Sequence, residues 1–218
     1  TLMMPLALIF FDFRAALVLV AFFHVFGNVS RIALFGKVDW WLVFIFGLPS
    51  VLFSVFGASL VGVVEQDVLR VVLGAFLLVF SLSSLVRQTA RWRKSVAGAL
   101  IAGGASGFLA GLIGTGGAVR SAYLTTLRLD KKAYISTAAV SALLVDVVRI
   151  PLYVSYGFLH EQWVVYLPVL FVVALAGSYV ARLVVRRVPS VLFRKVVLVA
   201  IAIAGGKLLV DVLLPLLF

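Results

Sequence analysis

The 218-residue chain contains no cysteine, only two histidines and few charged residues. The absence of cysteine excludes disulfides, thiolate metal ligands and cysteine nucleophiles. The two histidines lie far apart in the sequence, so a zinc site of the usual kind is not expected. Charged residues make up 12% of the chain, whereas a soluble domain carries roughly 25%. We therefore expect no metal or other cofactor, and a soluble fold is disfavoured.

Apolar residues take the place of the missing charge, at 64% of the chain and a mean hydropathy of +1.23. No soluble fold of this length could bury so much apolar surface, whereas lipid solvates it. A spanning helix needs roughly 20 mostly apolar residues. Six segments qualify, namely residues 15–35, 40–64, 68–86, 133–154, 164–185 and 196–217. The sequence thus predicts an all-α polytopic membrane protein whose main partner is the lipid bilayer.

The formal net charge of +11, from 19 basic and 8 acidic residues, is concentrated in short segments between apolar runs. Residues 87–94 carry four positive charges, and residues 182–195 carry five. In a soluble protein such charge would suggest nucleic acid, but short basic loops are typical of the cytoplasmic face of a membrane protein. We expect no nucleic-acid partner, a cytoplasmic location for both basic segments and an outer location for residues 155–163.

The apolar stretch between residues 96 and 127 does not fit a single crossing. Basic residues flank it on both sides, so both of its ends should be cytoplasmic. A glycine turn at 114–117 favours a re-entrant hairpin, in which one helix rises to about Ile113 and a shorter one returns. The alternative is one long tilted span followed by a short surface helix. Because irregular backbone at membrane depth must be buried in protein or line a cavity, the hairpin predicts a cavity at this turn.

An internal repeat emerges when the chain is shifted by 118 positions, which aligns residues 12–35 with residues 130–153 at 7 identities in 24 positions. A shift of two further positions also aligns Gly57 with Gly177. Equivalent loops differ in charge, since residues 12–14 are neutral and residues 128–132 are net +2. This difference predicts an inverted-topology repeat, as in many secondary transporters. The repeats would be residues 1–94 and 95–218, each with three spanning helices and a re-entrant glycine-rich hairpin.

The first of these hairpins has no full counterpart in the sequence. In the repeat alignment residue 1 matches residue 119, so nothing corresponds to residues 97–118. We therefore expect the first hairpin to be largely missing from this chain, with residues 2–11 as its returning arm.

Two stripes of polar residues lie in equivalent spans. In the first repeat the stripe is spaced i, i+4 and i+7 on one helix face, and consists of His24, Asn28 and Arg31. In the second repeat the equivalent stripe consists of Asp146, Arg149 and Tyr153. Because arginine is costly in lipid, both arginines should face protein or water. An inverted repeat would bring the stripes to one central site, where Arg31 and Arg149, with Asn28 and Tyr153, would bind a small oxyanion.

His24 and Asp146 are candidates for carrying a coupling proton, because both groups can titrate when buried. Structural interpretations stay open beside these. His24 could be a satisfied core histidine, and Asp146 could pair with Arg149 at i, i+3 merely to lock helices. Arg31 and Arg149 lie near the ends of their spans, so either could extend to the interface.

The glycine turn is a second candidate anion site. Glycine permits the turn and leaves N–H groups free at the start of a helix, whose dipole favours negative charge. The turn comprises Gly114, Thr115, Gly116 and Gly117. Arg120 would add a positive charge there, or alternatively bind a lipid headgroup. Another set of glycines, spaced four apart, predicts close helix packing instead: Gly103, Gly107 and Gly111.

The segments GFLAGLIGTGG (107–117), STAA (136–139) and DVVRIPLY (146–153) resemble the TauE/SafE sulfite exporter family, also called the toluene-sulfonate uptake permease superfamily. The dipeptide Tyr156-Gly157 fits its second half, and residues 12–35 with Gly57-Ala58 fit its first half. The resemblance covers nearly the whole chain, although the first glycine-rich turn of the family is not present.

This resemblance implies a prokaryotic-type, multi-pass plasma membrane permease for sulfite, sulfonates or related sulfur-containing or organic anions. Export is the usual direction, proton coupling is expected, and enzymatic activity is not. The alternatives are a passive anion channel and an intramembrane enzyme that acts on lipid or sulfur compounds. A homo-oligomer stays open as a further form of partnership.

Overall fold

The computed structural model describes residues 2–86, 95–127, 129–184 and 190–216. Within these ranges the chain forms helices and no strand. The α-helices are α1 (Met3–Ala7), α2 (Phe13–Phe35), α3 (Trp40–Val61), α4 (Gln66–Val86), α5 (Val96–Ile113), α6 (Gly117–Thr125), α7 (Lys131–Ser155), α8 (Glu161–Val164), α9 (Tyr166–Val184) and α10 (Ser190–Leu213). A 3₁₀ turn at Leu214–Leu216 follows the last of them.

Six helices in the described ranges are long and apolar enough to cross a membrane, which confirms the predicted all-α polytopic membrane fold. These six are α2, α3, α4, α5, α7 and the part of α10 from Lys195 to Leu213. The predicted span at 164–185 corresponds to α9, where the structure has a shorter apolar helical stretch, Glu161–Gly177, made of α8 and the first part of α9. Of the basic segments that predict orientation, residues 87–94 and 185–189 lie outside the described residues, and the sidedness stays a prediction.

Aspartate side chains start the two helices that the repeat alignment pairs. The carboxylate of Asp12 accepts hydrogen bonds from the N–H groups of Arg14 and Ala15, and that of Asp130 accepts one from Ala133. An N-terminal carboxylate satisfies N–H groups that have no partner inside the helix. The aligned aspartates therefore act as N-caps, and the bounds of α2 and α7 follow from them.

The helix α3 contains a π-helical turn at Val43–Gly47, directly before Pro49. Proline has no N–H group and its ring collides with the carbonyl of the residue four positions earlier. The widened turn accommodates both effects within one continuous span.

Contacts at the two ends of the bundle show that α2 and α7 run antiparallel. At one end Lys37 forms an ion pair with Asp130, and the N–H of Asp39 donates to the Thr137 hydroxyl at 3.0 Å. The same lysine, together with the N–H of Ala133, holds the pKa of Asp130 below its usual value. At the other end the Arg14 guanidinium lies 5.4 Å from the centre of the Phe158 ring.

The packing pattern is compatible with an inverted repeat. Residues 12–14 lie at the opposite end of the bundle from their aligned equivalents, residues 130–132. The helices α2 and α7 contact each other, as do α4 and α10, and the α3–α7 contact has its counterpart in the contact of α9 with α2. The repeat and the division at residues 94 and 95 stay predictions.

A seam of small residues joins α3 and α5, the helix pair in most extensive contact. A Cβ atom on Gly103, Gly107 or Gly111 would overlap a backbone carbonyl of α3. The Ser50 hydroxyl also donates across the seam to the carbonyl of Gly103 at 2.9 Å. The predicted packing role of these three glycines is thus what the structure shows, with α3 as the partner.

The equivalent position on α9 is open. A Cβ atom on Gly57 would overlap the backbone of α5, whereas nothing lies within 4 Å of the same atom on Gly177. The helix α5 therefore covers a face of α3 whose aligned counterpart on α9 has no such cover within the described residues.

We predict that Gly107→Ala destabilises the bundle, because the added methyl group would meet the backbone of Ser50 rather than a movable side chain. Overpacking of this kind costs about 1–3 kcal/mol. Thermal unfolding in mild detergent should show a lower midpoint than in wild type. Gly27→Ala is the matched control, since its Cβ atom would lie within a helix with nothing within 4 Å. Equal midpoints for the two variants would contradict the proposed seam.

Candidate functional site

The chain reverses direction between α5 and α6. Gly114 closes α5 with φ +72°, a left-handed conformation that favours glycine. The Ser106 hydroxyl then donates to the carbonyl of Gly116 at 2.9 Å, which ties the turn back to α5. Farther along, the Tyr123 hydroxyl donates to the carbonyl of Ser95 at 3.4 Å, so α6 returns toward the start of α5. This geometry is a helix–turn–helix hairpin with its break at the predicted glycines.

Two side chains of α7 hold the tip of α5. The Arg149 guanidinium donates to the carbonyl of Ala110, and the Tyr153 hydroxyl donates to the carbonyl of Gly111. Both carbonyls belong to the last turn of α5. That of Gly111 has no backbone donor among the described residues, whereas that of Ala110 also accepts from the N–H of Gly114. The C-terminal end of a helix also carries partial negative charge, which a guanidinium stabilises. The position of the hairpin turn therefore depends on α7.

A buried ion pair supports this contact. Asp146 accepts from Arg149 Nη2 at 2.7 Å and from Nε at 2.9 Å. The two residues are only 2% and 1% exposed. Each nitrogen of the Arg149 guanidinium thus has a protein partner, as the helix-locking interpretation of the pair requires.

The stripe on α2 has a different arrangement. Asn28 is buried and accepts from Arg31 Nη1 at 3.0 Å, while Arg31 itself is exposed and His24 is half-buried. Asn28 also lies beside Asp146 of α7. The first-repeat arginine is therefore held by a neutral amide and keeps free donors, whereas its counterpart Arg149 is fully engaged.

Arg120 brings a third guanidinium to this region. It is half-buried, and its Nη2 atom lies 3.5 Å from where a Cβ atom on Gly117 would be, so it folds back over the start of α6. Its guanidinium makes no hydrogen bond or ion pair with any other described residue. His24 lies within electrostatic range of Arg149, Arg120 and Arg31. The structure therefore gathers all three arginines, His24 and Asp146 into one region between α2, α6 and α7.

The start of α6 has the features of an anion-binding helix terminus. No side chain caps it, and the first N–H groups of a helix have no partner inside the helix. The Thr115 hydroxyl, at the turn, is buried at 2% exposure and has no partner among the described residues. A buried hydroxyl without a partner is costly, so a ligand that accepts its hydrogen bond would be stabilised here.

Some features of the site lie beyond the sequence-based predictions. Ser106 fixes the turn, and two hydroxyls of α7, those of Ser136 and Ser141, are buried without a partner in the described part of the chain. Small residues in apolar helices gave no signal that would separate these serines from packing residues. The same ranges contain no group of three acidic or histidine side chains placed to hold a metal ion.

A cavity of about 390 Å³ lies at the end of the bundle where Lys37 pairs with Asp130. Asp39, Ser95 and Tyr123 are among its lining residues. Tyr123 stacks on Phe46, with ring centroids 5.8 Å apart, one helical turn beyond Arg120 on α6. The cavity thus lies at the predicted cytoplasmic end, and no arginine is among its lining residues.

Comparison with known proteins gives one result. A family model described as "Sulfite exporter TauE/SafE" matches residues 1–208 of the chain. No curated protein and no solved structure matches.

We predict that Arg149→Gln lowers the free energy of unfolding by about 3–5 kcal/mol, because it leaves the buried Asp146 carboxylate without its charged partner. The double variant Asp146→Asn/Arg149→Gln should lose less, since it leaves no unpaired charge. Denaturant titration in mild detergent measures both values. If the double variant loses as much free energy of unfolding as the single Asp146→Asn and Arg149→Gln variants lose together, the two groups are not coupled.

Proposed function

Because the chain belongs to the TauE/SafE sulfite exporter family, a family of membrane exporters of sulfur-containing anions, we propose that it is a secondary transporter of the prokaryotic plasma membrane. Its substrates would be sulfite, sulfonates or related sulfur-containing or organic anions, and its direction would be export. The observation that carries the proposal is that Arg31, Arg120 and Arg149 all lie within electrostatic range of His24, with Arg120 folded back over the uncapped start of α6.

In this proposal the anion binds between the free guanidinium donors and the hairpin turn. Arg31 and Arg120 present planar forks that match the oxygens of a small oxyanion. The Thr115 hydroxyl and the first N–H groups of α6, from Gly116 and Gly117 onward, complete the site. Asn28 orients Arg31 through the 3.0 Å hydrogen bond between them.

Arg149 and Tyr153 act on the substrate through the turn that they hold. Their donors bind the carbonyls of Ala110 and Gly111, directly before the break at Gly114. A turn fixed in this way keeps its N–H groups aimed at the anion without a cost of reorganisation on binding. Arg149 also adds its charge to the field at the site.

Proton coupling would follow from the position of His24. A positive charge on its ring is unfavourable beside three guanidinium groups, and a bound anion would offset that repulsion. Proton binding and anion binding would then favour each other, as a coupled carrier requires. Asp146, the carboxylate in this cluster, is the second candidate for the proton.

The cavity beside Tyr123 supports access from the predicted cytoplasmic end. It reaches to within one turn of Arg120 along α6, and Tyr123, which stacks on Phe46, lies on its wall. In an alternating-access cycle this cavity would serve as the inner mouth.

We predict saturable, gradient-driven sulfite flux in liposomes that contain the protein, with a loss of at least about tenfold in Arg120→Gln. Because the Arg120 side chain makes no hydrogen bond to other described residues, the variant should unfold at the wild-type temperature. Arg70→Gln is the matched control, since Arg70 forms an i, i+3 pair with Asp67 at the surface.

His24→Ala should retain sulfite exchange but lose the acceleration that a pH gradient gives. Flux that rises linearly with sulfite concentration would indicate a channel, and conversion of sulfite without flux would indicate an enzyme. Either result would contradict the proposed function.

A further inference from the structure

The two arginine stripes differ in charge although they are aligned in the repeat. Arg149 pairs with Asp146 at i, i+3, whereas Arg31 pairs at the same spacing with the neutral Asn28. The second stripe is therefore neutral as a unit, and the first carries a full positive charge.

No other carboxylate compensates this charge. All eight acidic residues of the chain lie in its described part. Seven of them lie at helix ends, in connections or in the exposed pair with Lys207, and these are Asp12, Asp39, Glu65, Asp67, Asp130, Glu161 and Asp211. The eighth is Asp146. Asp146 is also the acidic side chain that acts on Arg120. Asp146 thus acts on Arg149 and Arg120 but not on Arg31, and the three guanidinium groups exceed the one carboxylate by two positive charges.

We infer that the site selects doubly charged oxyanions over singly charged ones, with Arg31 and Arg120 as the specificity-determining residues. The inference rests on the proposed function and specifies its substrate class. A positive charge without an acidic partner attracts an anion, so a ligand that neutralises both arginines binds with the greatest gain. A dianion leaves no net charge in the cluster, whereas a monoanion leaves one.

Geometry supports the charge argument. The Arg31 guanidinium has one nitrogen engaged by Asn28, and Arg120 has none engaged by a described residue. Both can therefore bind two oxygens of one ligand, and the Thr115 hydroxyl offers a neutral hydrogen bond to a third. Dianions with an SO₃ group, such as sulfite, carry three oxygens around one centre and suit this donor set.

Sulfate and methanesulfonate are matched probes, because both are tetrahedral and share an SO₃ group but carry two charges and one charge near neutral pH. Binding of each to the detergent-solubilised protein is measured by calorimetry at fixed ionic strength. We expect sulfate to bind at least about tenfold more tightly, which corresponds to about 1.4 kcal/mol.

The decisive variant is Asn28→Asp, which gives Arg31 the acidic partner that Arg149 already has at the same spacing. We expect sulfate affinity to fall at least about tenfold and methanesulfonate affinity to change little, so that the preference disappears. Arg120→Gln should have the same effect, and Arg70→Gln should have none. Thermal unfolding of each variant confirms that it is folded.

Equal affinity of the wild-type protein for the two probes would overturn the inference, as would an equal loss of both affinities in folded Asn28→Asp. Saturable sulfite flux combined with either result would leave the transporter proposal intact while contradicting dianion selectivity. Absence of flux with selective sulfate binding would support the charge argument and contradict transport.

Discussion

The hold of α7 on the last turn of α5 is the contact on which the candidate site depends. A helix that stops inside the protein leaves carbonyls without partners, and in a membrane protein water is not there to satisfy them. Tyr153 supplies the partner of the Gly111 carbonyl, Arg149 adds a second donor to the Ala110 carbonyl, and Asp146 keeps the guanidinium in place. With the tip of α5 fixed, the break at Gly114 is fixed as well, and α6 begins with its free N–H groups at a defined position.

The second constraint is the glycine seam between α3 and α5. It brings the two backbones close together along the length of α5 and makes them one unit. The hairpin is thus supported from one side by the seam and at its tip by α7. Arg31 and Arg120 are not part of this support, since neither binds a backbone group of another helix. The proposed binding mode follows from this difference. Arg149 and Tyr153 donate to the backbone of α5, whereas Arg31 and Arg120 keep donors for a ligand.

The sequence predicts a structural feature where a residue determines the conformation of its own segment. The runs of apolar residues predict the spans, Asp12 and Asp130 mark two helix starts, and Gly114 marks the break. The seam was predictable only in part, because glycine spacing indicates close packing but not the partner helix. The start of α10 at Ser190, before the predicted residue 196, lies in a stretch with basic residues that the apolar criterion excludes.

The backbone partners of Arg149 and Tyr153 could not be predicted, in contrast to the pairing of Arg149 with Asp146. They are backbone carbonyls about 40 residues away, and a carbonyl leaves no trace in the identity of its residue. The sequence favoured Arg149 as a substrate ligand because a buried arginine needs a partner. The only partner that the sequence offered beside a substrate was Asp146. The difference between Asn28 and Asp146 was visible, but its meaning depends on the converging arginines that only the fold reveals.

The position of a bound anion tests the account most directly. Selenite, the selenium analogue of sulfite, can be located by its anomalous scattering in crystals of the full protein. The account predicts a selenium peak within hydrogen-bonding reach of Arg31, Arg120 and the first N–H groups of α6. A peak away from the hairpin turn, with Arg149 and Tyr153 still bound to the carbonyls of α5, would contradict it.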